Sequence, residues 1–172
     1  MKKLNLGAGK MPLKGYVNVD RVKFPGIDVV CDLNKYPWPF KNNEFDEIVI
    51  LGTLNLLDNF LKSVEEIHRI SKKGAKITIK SALFPSPTCA QDPLNKTFIS
   101  LNSFEYFDPR NKGLDYYSKA KFFTRKKTII VSENKYLKWL SFFPNINQKF
   151  YYRFLFLLFP SNTIIHQLET VK

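Results

Sequence analysis

Two glycines and a carboxylate near the start of the chain are spaced for binding a nucleoside. Gly7 and Gly9 follow directly after the apolar run Lys3–Leu6, and Asp20 ends a second apolar run that begins at Tyr16. A glycine loop after a buried strand lets a ligand lie against bare backbone. A carboxylate at the end of the next strand can accept two hydrogen bonds from ribose hydroxyls. The pattern therefore indicates a ribose-containing cofactor.

The same loop lacks the features of a phosphate site. A dinucleotide fingerprint needs a third glycine where Pro12 stands and an acid about 20 residues further on, whereas Asp20 follows Gly9 much sooner. The sequence contains no Gly-x-x-x-x-Gly-Lys-Ser/Thr run either. This favours a cofactor that has a ribose and adenine but no phosphate, of which S-adenosylmethionine is the common one. The alternative is a plain turn between a strand and a loop.

Composition predicts one globular domain over residues 1–172, because 44% of the residues are apolar and 15% are aromatic. The net charge of +12 would attract nucleic acid, anionic lipid surfaces or acidic substrates. A generally lysine-rich composition is the competing explanation. Cys31 and Cys89 form no metal-binding or disulfide pattern, so we expect no metal site and a reducing, cytoplasmic setting.

Two features bear on membranes. The first apolar run begins within a few residues of Met1, which leaves no room for the apolar core of a signal peptide. The most apolar run, Phe150–Phe159, contains Arg153 and ends at Pro160, so it is too short to span a bilayer. We therefore expect no transmembrane span, while peripheral contact of this run with a membrane stays open.

Apolar runs along the chain predict a sheet with few helices. Further strands are expected at residues 28–32, 45–51, 75–81, 121–132 and 164–171, and helices at 58–71, 135–142 and 147–158. Residues 10–16 are too few for a full crossover helix, since a parallel crossover usually takes about a dozen residues or more. Residues 82–119 are rich in proline and aromatics and are expected to be irregular, with one short helix near 103–107. A long irregular segment is usually functional.

Together these pieces resemble the small class I S-adenosylmethionine-dependent methyltransferases of the type 11-like family. The resemblance covers nearly the whole chain and rests on residues 4–9, 18–20, 28–33 with 39–40, 44–48, 66–75 and 98–107. It implies an α/β fold with a Rossmann-like, seven-stranded and mostly parallel sheet, a shortened first crossover and an antiparallel C-terminal strand. It also implies S-adenosylmethionine as cofactor.

The resemblance assigns roles to residues at the ends of the strands. Gly7 and Gly9 would pass beneath the methionine moiety, Asp20 would hold the ribose, and Asp32 with the Leu33 backbone would bracket the adenine. Residues 52–54 would line the methyl-donor side. The full set predicted to bind the cofactor is Asn5, Gly7, Ala8, Gly9, Asp20, Asp32, Leu33, Gly52 and Thr53.

The chain departs from the family where the family commonly has its catalytic polar groups. A His-x-Leu-Glu-His run is common after the fourth strand, and here residues 52–56 read Gly-Thr-Leu-Asn-Leu. An Asp-Pro-x-His run often follows the fifth strand, and here residues 92–95 read Asp-Pro-Leu-Asn. Asp92 is the best candidate for a general base, although an Asp before Pro is more often a turn former.

Three functions are compatible with this sequence. The first is methyl transfer to a small or glycan-linked metabolite. The second is methylation of RNA, favoured by the charge but without an Asn-Pro-Pro-Tyr-type motif after the fourth strand. The third is a degenerate domain that binds the cofactor or a partner without turnover. With so few residues ahead of the first strand, residues 82–119 are expected to cover the cofactor. The sequence leaves the oligomeric state open.

Overall fold

Seven strands form a single sheet in the order β3-β2-β1-β4-β5-β7-β6 in a computed structural model that describes residues 1–111, 113 and 116–172. The strands are β1 Lys3–Leu6, β2 Val17–Asp20, β3 Val29–Val30, β4 Phe45–Leu51, β5 Ser71–Ala82, β6 Lys121–Ile130 and β7 Thr163–Val171. Neighbours from β3 through β5 are parallel, while β7 is antiparallel to both β5 and β6. The predicted fold class is confirmed.

The first crossover is short, as predicted. Residues 7–16, all of them described, contain no helix, yet β2 still pairs with β1 in parallel, with Leu4 opposite Val17 and Leu6 opposite Val19. A buried polar network replaces the missing helix: Asn18 Oδ1 accepts from Asn5 Nδ2 at 3.0 Å and from Leu13 N at 2.8 Å. Because buried amides are costly unless they are paired, this network fixes the path of the link.

The one long helix, α1 Phe60–Ile70, packs its apolar face on the sheet, with Val64, Ile67 and Ile70 in the core. Asn59 caps its start by accepting a hydrogen bond from Lys62 N. The helix also anchors the proline-rich loop 36–40. Glu66 Oε2 accepts from Trp38 N at 2.7 Å, and the Arg69 guanidinium donates to the carbonyl oxygens of Trp38 and Phe40.

β5 begins at Ser71 rather than at the predicted residue 75. Ser71 ends α1 and pairs with Phe45, and the register then shifts before Glu47 pairs with Lys76. The difference has a local cause, because Lys72, Lys73 and Gly74 break the apolar alternation, and Gly74, with a φ of +74°, lies in the stretch where the register shifts. The predicted pattern marked only the regular part of the strand.

The described residues of segment 82–119 are largely irregular, with α2 Pro87–Gln91 and a 3₁₀ turn at Glu105–Phe107. Helix α2 was not predicted; Ser86 caps it through Cys89 N. Between β6 and β7 the predicted helices appear as short pieces: a 3₁₀ turn at Lys138–Ser141, α3 Phe142–Ile146, α4 Gln148–Phe150 and a π-helical turn at Tyr151–Leu155. Of the helices in the described ranges, none has the length and apolarity to cross a membrane.

Candidate functional site

A cavity of about 580 Å³ lies at the carboxyl ends of β1 to β4. This edge of a parallel sheet is where open α/β folds bind ligands. Eight of the nine residues predicted to bind the cofactor line it: Gly7, Ala8, Gly9, Asp20, Asp32, Leu33, Gly52 and Thr53. The structure thus brings together the ends of four strands, as expected for one bound molecule.

Asp20 ties the glycine loop to the end of β2. Its Oδ2 accepts from Gly9 N at 2.8 Å, and its Oδ1 accepts from Val22 N at 3.0 Å. A carboxylate has about four acceptor positions on its two oxygens, so each oxygen retains one for a ligand. The side chain is half-buried and faces the cavity. Asp20 can therefore accept two further hydrogen bonds while it holds the loop.

The amides of the glycine loop are already used within the protein. Besides Gly9 N, Ala8 N donates to Val19 O at 2.9 Å and Met11 N donates to Ala8 O at 2.9 Å. A phosphate-binding loop needs such amides free and directed at the ligand, usually at the start of a helix. The Ala8, Gly9 and Met11 amides are not free in this way and residues 7–16 begin no helix, so this loop suits a ligand that presents no phosphate there.

Gly7 is required by its contact with Thr53. Its φ of +70° lies in the left-handed region, and a Cβ at this position would come 2.1 Å from Thr53 Oγ1. The Thr53 hydroxyl also donates to Gly7 O at 3.3 Å. The loops after β1 and β4 therefore touch through a residue without a side chain. Gly9 differs, since a Cβ there would meet nothing within 4 Å.

Asp32 and Leu33 form the far end of the cavity. Asp32 Oδ1 accepts from Asn34 N at 3.0 Å in a turn, and Leu33 is buried. Trp38 Nε1 donates to Leu33 O at 3.0 Å. Since Trp38 N is in turn held by Glu66, helix α1 positions this end of the cavity through a chain of hydrogen bonds. The Glu66–Arg69 segment belongs to the family pattern in the sequence, but this supporting role is visible only in the structure.

Asn5, the ninth predicted residue, is placed differently. Its side chain is buried and donates to Asn18, beneath the link between β1 and β2, and it is not among the described residues that line the cavity. Its position supports the loop rather than contacting a ligand. Asn5 lies opposite Asn18 in the pairing of β1 with β2, so its side chain is used within the sheet rather than at its carboxyl edge.

Asp92, the predicted base, lies at the end of α2 and is exposed. Its Oδ1 accepts from Leu94 N at 2.9 Å, a bond typical of an Asx turn. Leu94 lines the cavity but Asp92 does not, within the described part of the chain. Its assignment as a catalytic residue stays a prediction.

Asn55 and Asn95, where the family commonly has Glu and His, are hydrogen-bonded to each other. Asn55 Nδ2 donates to Asn95 Oδ1, and Asn95 Nδ2 donates to Cys89 O at 2.8 Å. Asn55 O also accepts from Lys96 N at 2.8 Å. Asn55 is buried, and its Oδ1 has no partner among the described residues. Both departures are visible in the sequence, but the hydrogen bond between the two side chains is not.

A second cavity of about 560 Å³ lies beside the first. It is lined by Phe60, Leu61, Thr97, Phe98, Ser100, Asn102, Ser103, Tyr106, Phe107, Tyr117 and Ser118. Lys96 lines the first cavity and Thr97 the second, so one stretch of backbone borders both. The aromatic residues of segment 82–119 have two roles: Phe98, Tyr106 and Tyr117 line the cavity, whereas Phe104 is in the core. Residues 112, 114 and 115 of this segment lie outside the described part of the chain.

Met11, Leu94 and Lys96 also line the first cavity, although no sequence motif points to them. Leu94 and Lys96 come from the irregular segment 82–119, whose position depends on tertiary contacts such as Lys96 N to Asn55 O. Helical or strand periodicity cannot place such a segment.

Comparison with known proteins agrees with this geometry. The model of the methyltransferase domain family matches residues 14–79, from the first crossover to β5. No curated protein matches the chain.

Solved structures share the fold over nearly the entire chain. The YcgJ protein from Bacillus subtilis is 12% identical, with 99% of this chain and 92% of that chain covered and a TM-score of 0.62. A SAM-dependent methyltransferase from Archaeoglobus fulgidus is 15% identical, with 98% and 85% covered and a TM-score of 0.60. The [4+2]-cyclase SpnF is 11% identical, with 99% and 74% covered and a TM-score of 0.61.

The resemblance to class I S-adenosylmethionine-dependent methyltransferases is thus confirmed, by the family match over residues 14–79 and by the fold over the rest of the chain. At such low identities the solved structures show the fold alone. A fold of this type also carries a cyclase, so activity has to be argued from the site.

Proposed function

We propose that this chain binds S-adenosylmethionine in the first cavity and transfers its methyl group to a small molecule or to a small group carried by a glycan. One observation carries the cofactor assignment. Asp20 presents free acceptor positions beside a glycine loop whose Ala8, Gly9 and Met11 amides are all internally bonded. This pairing suits a ribose without a neighbouring phosphate.

Each part of the cavity has a role in this proposal. Asp20 accepts hydrogen bonds from the two ribose hydroxyls. Asp32 uses its second oxygen for the adenine amine, and the Leu33 side chain packs on the ring, since the Leu33 carbonyl is already engaged by Trp38. Gly7 and Gly9 let the methionine moiety approach the backbone. Gly52 and Thr53 border the side from which the methyl group leaves.

The second cavity is the proposed site of the acceptor. It shares a wall with the first at residues 96–97, and its lining combines aromatic rings with the hydroxyls of Ser100 and Ser103. Its size is within the range of small-molecule pockets, about 300–1,000 Å³. Apolar walls with a few polar groups suit a small acceptor better than a nucleic-acid strand, which needs an open basic groove.

The cofactor supplies an electrophilic methyl group, and the protein's contribution is alignment and exclusion of water. A base is needed only when the acceptor loses a proton in the reaction. Asn55 and Asn95 cannot accept a proton, because a neutral amide is not a base at neutral pH. The site therefore favours acceptors that are already nucleophilic, such as an uncharged amine or a thioether, unless Asp92 moves toward the acceptor.

Titration calorimetry tests the cofactor assignment. S-adenosylhomocysteine should bind with measurable heat, and a nicotinamide dinucleotide should not. Binding of the dinucleotide alone would overturn the assignment. Turnover is then followed as S-adenosylhomocysteine production with pools of amine, thiol and hydroxyl acceptors, including glycans.

A second function is favoured by the Asn55–Asn95 pair. Two polar groups of the family's catalytic region are replaced by amides that are hydrogen-bonded to each other, which suits a domain that binds the cofactor without turnover. One experiment distinguishes the two functions. Binding of S-adenosylhomocysteine with no methyl transfer to any acceptor pool would support the binding domain.

Methylation of RNA remains the other alternative, supported by the net charge of +12. It requires RNA affinity that falls steeply with salt, because lysines and arginines that neutralise phosphates release counterions. Filter binding at low and moderate salt measures this. Salt-independent or absent binding would exclude the nucleic-acid function.

A further inference from the structure

The chain between β6 and β7 exposes a long series of large apolar side chains. We call them the aromatic surface. Each is more than half exposed: Tyr136, Trp139, Phe142, Phe143, Ile146, Phe150, Phe154, Leu157, Leu158 and Phe159. Single exposed apolar residues need no explanation, but ten within 24 positions do.

The amount of apolar area here is unusual for a free surface. A large aromatic side chain carries about 150–250 Å², so seven rings that are more than half exposed present on the order of 700 Å². The largest apolar patch on a typical monomer measures roughly 300–600 Å² and is often functional. Leu157 and Leu158 add to this area. The aromatic surface is therefore larger than chance exposure explains.

The segment is held firmly on its other face. Tyr151 and Phe156 are buried, and the Tyr151 hydroxyl bonds to Ser161 Oγ at 2.6 Å. Asn145 anchors the segment to β6, accepting from Ile129 N at 2.9 Å and donating to Ile129 O at 2.7 Å. Because one face already packs on the protein, the exposed face is the apolar side that remains. It is a fixed surface of an amphipathic segment.

The charges within this segment are basic except for Glu133, which pairs with Lys80 Nζ at 2.9 Å. Residues 134–160 contain Lys135, Lys138, Lys149 and Arg153 and no Asp or Glu. All four basic residues are exposed. Arg153 lies over the ring of Phe154 at 5.6 Å, and Lys135 lies over that of Tyr136 at 4.9 Å. Cations placed beside aromatic rings are typical of segments that lie in the headgroup region of an anionic membrane.

The aromatic surface is attached at the carboxyl edge of the parallel strands. The segment leaves β6 at Ile130 and enters β7 at Thr163, which pairs with both Ile130 and Ala82 at the end of β5. The Tyr152 hydroxyl donates to Phe84 O, and Phe84 packs against Phe98 of the second cavity at 4.7 Å between ring centroids. The surface is thus connected to the edge that carries both cavities.

We propose that the aromatic surface docks on an anionic lipid bilayer, with its apolar side chains in the headgroup boundary and its four cations against the lipid phosphates. We choose this partner because the basic residues of the segment complement the negative charge of the lipid headgroups. A symmetric pair of copies would bring the same four cations of each copy together, and Glu133, the one acid of the segment, is already paired with Lys80, which opposes self-association. An anionic bilayer meets both the apolar and the basic requirement.

Vesicle co-sedimentation of the full chain tests the proposal. Protein should bind vesicles that mix phosphatidylglycerol with phosphatidylcholine and bind weakly to phosphatidylcholine alone. Lys138→Glu with Lys149→Glu should weaken binding about 25-fold or more, since each basic residue near an anionic surface contributes roughly fivefold. The matched control is Lys73→Glu with Lys126→Glu, which changes the net charge equally at exposed sites outside the segment and should leave most of the binding.

A second variant removes the apolar contribution. Phe142→Ser with Leu157→Ser and Phe159→Ser changes only exposed side chains, so melting temperature and far-ultraviolet circular dichroism should stay near those of the parent, while binding should fall at least roughly tenfold. Equal binding to both vesicle types, or variants that bind like the parent, would overturn the proposal. So would a lipid-free dimer that these substitutions dissociate, combined with no vesicle binding. Neither result depends on cofactor binding or turnover.

Discussion

Replacing Asp20 with alanine tests the centre of the proposed cofactor site. The substitution removes the acceptor for Gly9 N at 2.8 Å and for Val22 N at 3.0 Å, and with it the positions proposed for the ribose hydroxyls. A hydrogen bond that involves a charged group contributes about 1.5–3 kcal/mol. Loss of that contribution corresponds to a dissociation constant about 10- to 150-fold weaker.

The control is Asp46→Ala at the opposite end of the sheet. Asp46 Oδ2 accepts from Lys2 N at 2.6 Å, and Lys72 Nζ contacts its Oδ1 at 2.9 Å. The backbone hydrogen bond from Lys2, followed by that from Lys72, holds the pKa of Asp46 below its ordinary value. Its removal should lower stability at neutral pH while leaving cofactor affinity unchanged, because no part of the cavity touches it.

Calorimetry with S-adenosylhomocysteine measures affinity, and chemical unfolding measures stability in the same variants. Asp20→Asn helps to separate the two contributions, since it keeps one acceptor for Gly9 N but loses the charge. Its affinity for S-adenosylhomocysteine should lie between that of the parent and that of the alanine variant. Equal affinity losses in Asp20→Ala and Asp46→Ala would mean that the cofactor lies at another edge of the sheet.

Three further outcomes are expected. Gly9→Ala adds a Cβ that meets no protein atom within 4 Å, so it should cost only about 1–2 kcal/mol of stability. The same Cβ should weaken binding of the cofactor roughly tenfold or more. Gly7→Ala, in contrast, should lower the melting temperature through its clash with Thr53. Burial lowers the pKa of His166 to about 4 from an ordinary 6.5. The unfolded chain therefore binds the proton first, and stability should fall by roughly 3 kcal/mol as pH drops from about 6.5 towards 4. Finally, hydrogen exchange should show protection in residues 82–119 when S-adenosylhomocysteine binds.

Each of these has a result that would contradict it. Gly9→Ala with parental affinity would place the ligand away from the loop. For His166, unfolding is followed by denaturant between about pH 7 and about pH 5, and His166→Leu should flatten most of the slope. Burial also lowers the pKa of His68. If the dependence of stability on pH persists in His166→Leu and disappears in a His68 variant, it belongs to His68 rather than to His166. Protection confined to residues 150–159 would give the covering role to the aromatic surface.

Much of the sheet could be predicted because its strands are short apolar runs between clear turn signals. The limits predicted for β4 match those found, since residues 42–43 and Gly52 interrupt the pattern on both sides. β3 is shorter than predicted, because only Val29 and Val30 pair with β2. Periodicity describes which residues are apolar, whereas pairing with a neighbour decides where a strand ends.

The residues that line the first cavity likewise include some that could be predicted from the sequence and some that could not. Gly7, Gly9 and Asp20 could be identified because their residue types are needed at strand ends whatever surrounds them. The contribution of Leu94 and Lys96 could not, because it depends on how an irregular segment packs on the turn at Asn55. The helical segment between β6 and β7 was predicted as helix, but which of its faces stays exposed depends on contacts such as Asn145 to Ile129.

The Asn55–Asn95 pair shows why two departures from a motif have to be considered together. Considered separately, each asparagine only replaces a titratable side chain that the family commonly has. In the structure the two amides are joined, since Asn55 Nδ2 donates to Asn95 Oδ1, and Asn95 Nδ2 donates to Cys89 O. Changing only one of them would leave a buried donor or acceptor unpaired, which costs about 1–3 kcal/mol. The pair is therefore a polar contact without a titratable group that joins the turn after β4 to the segment after β5.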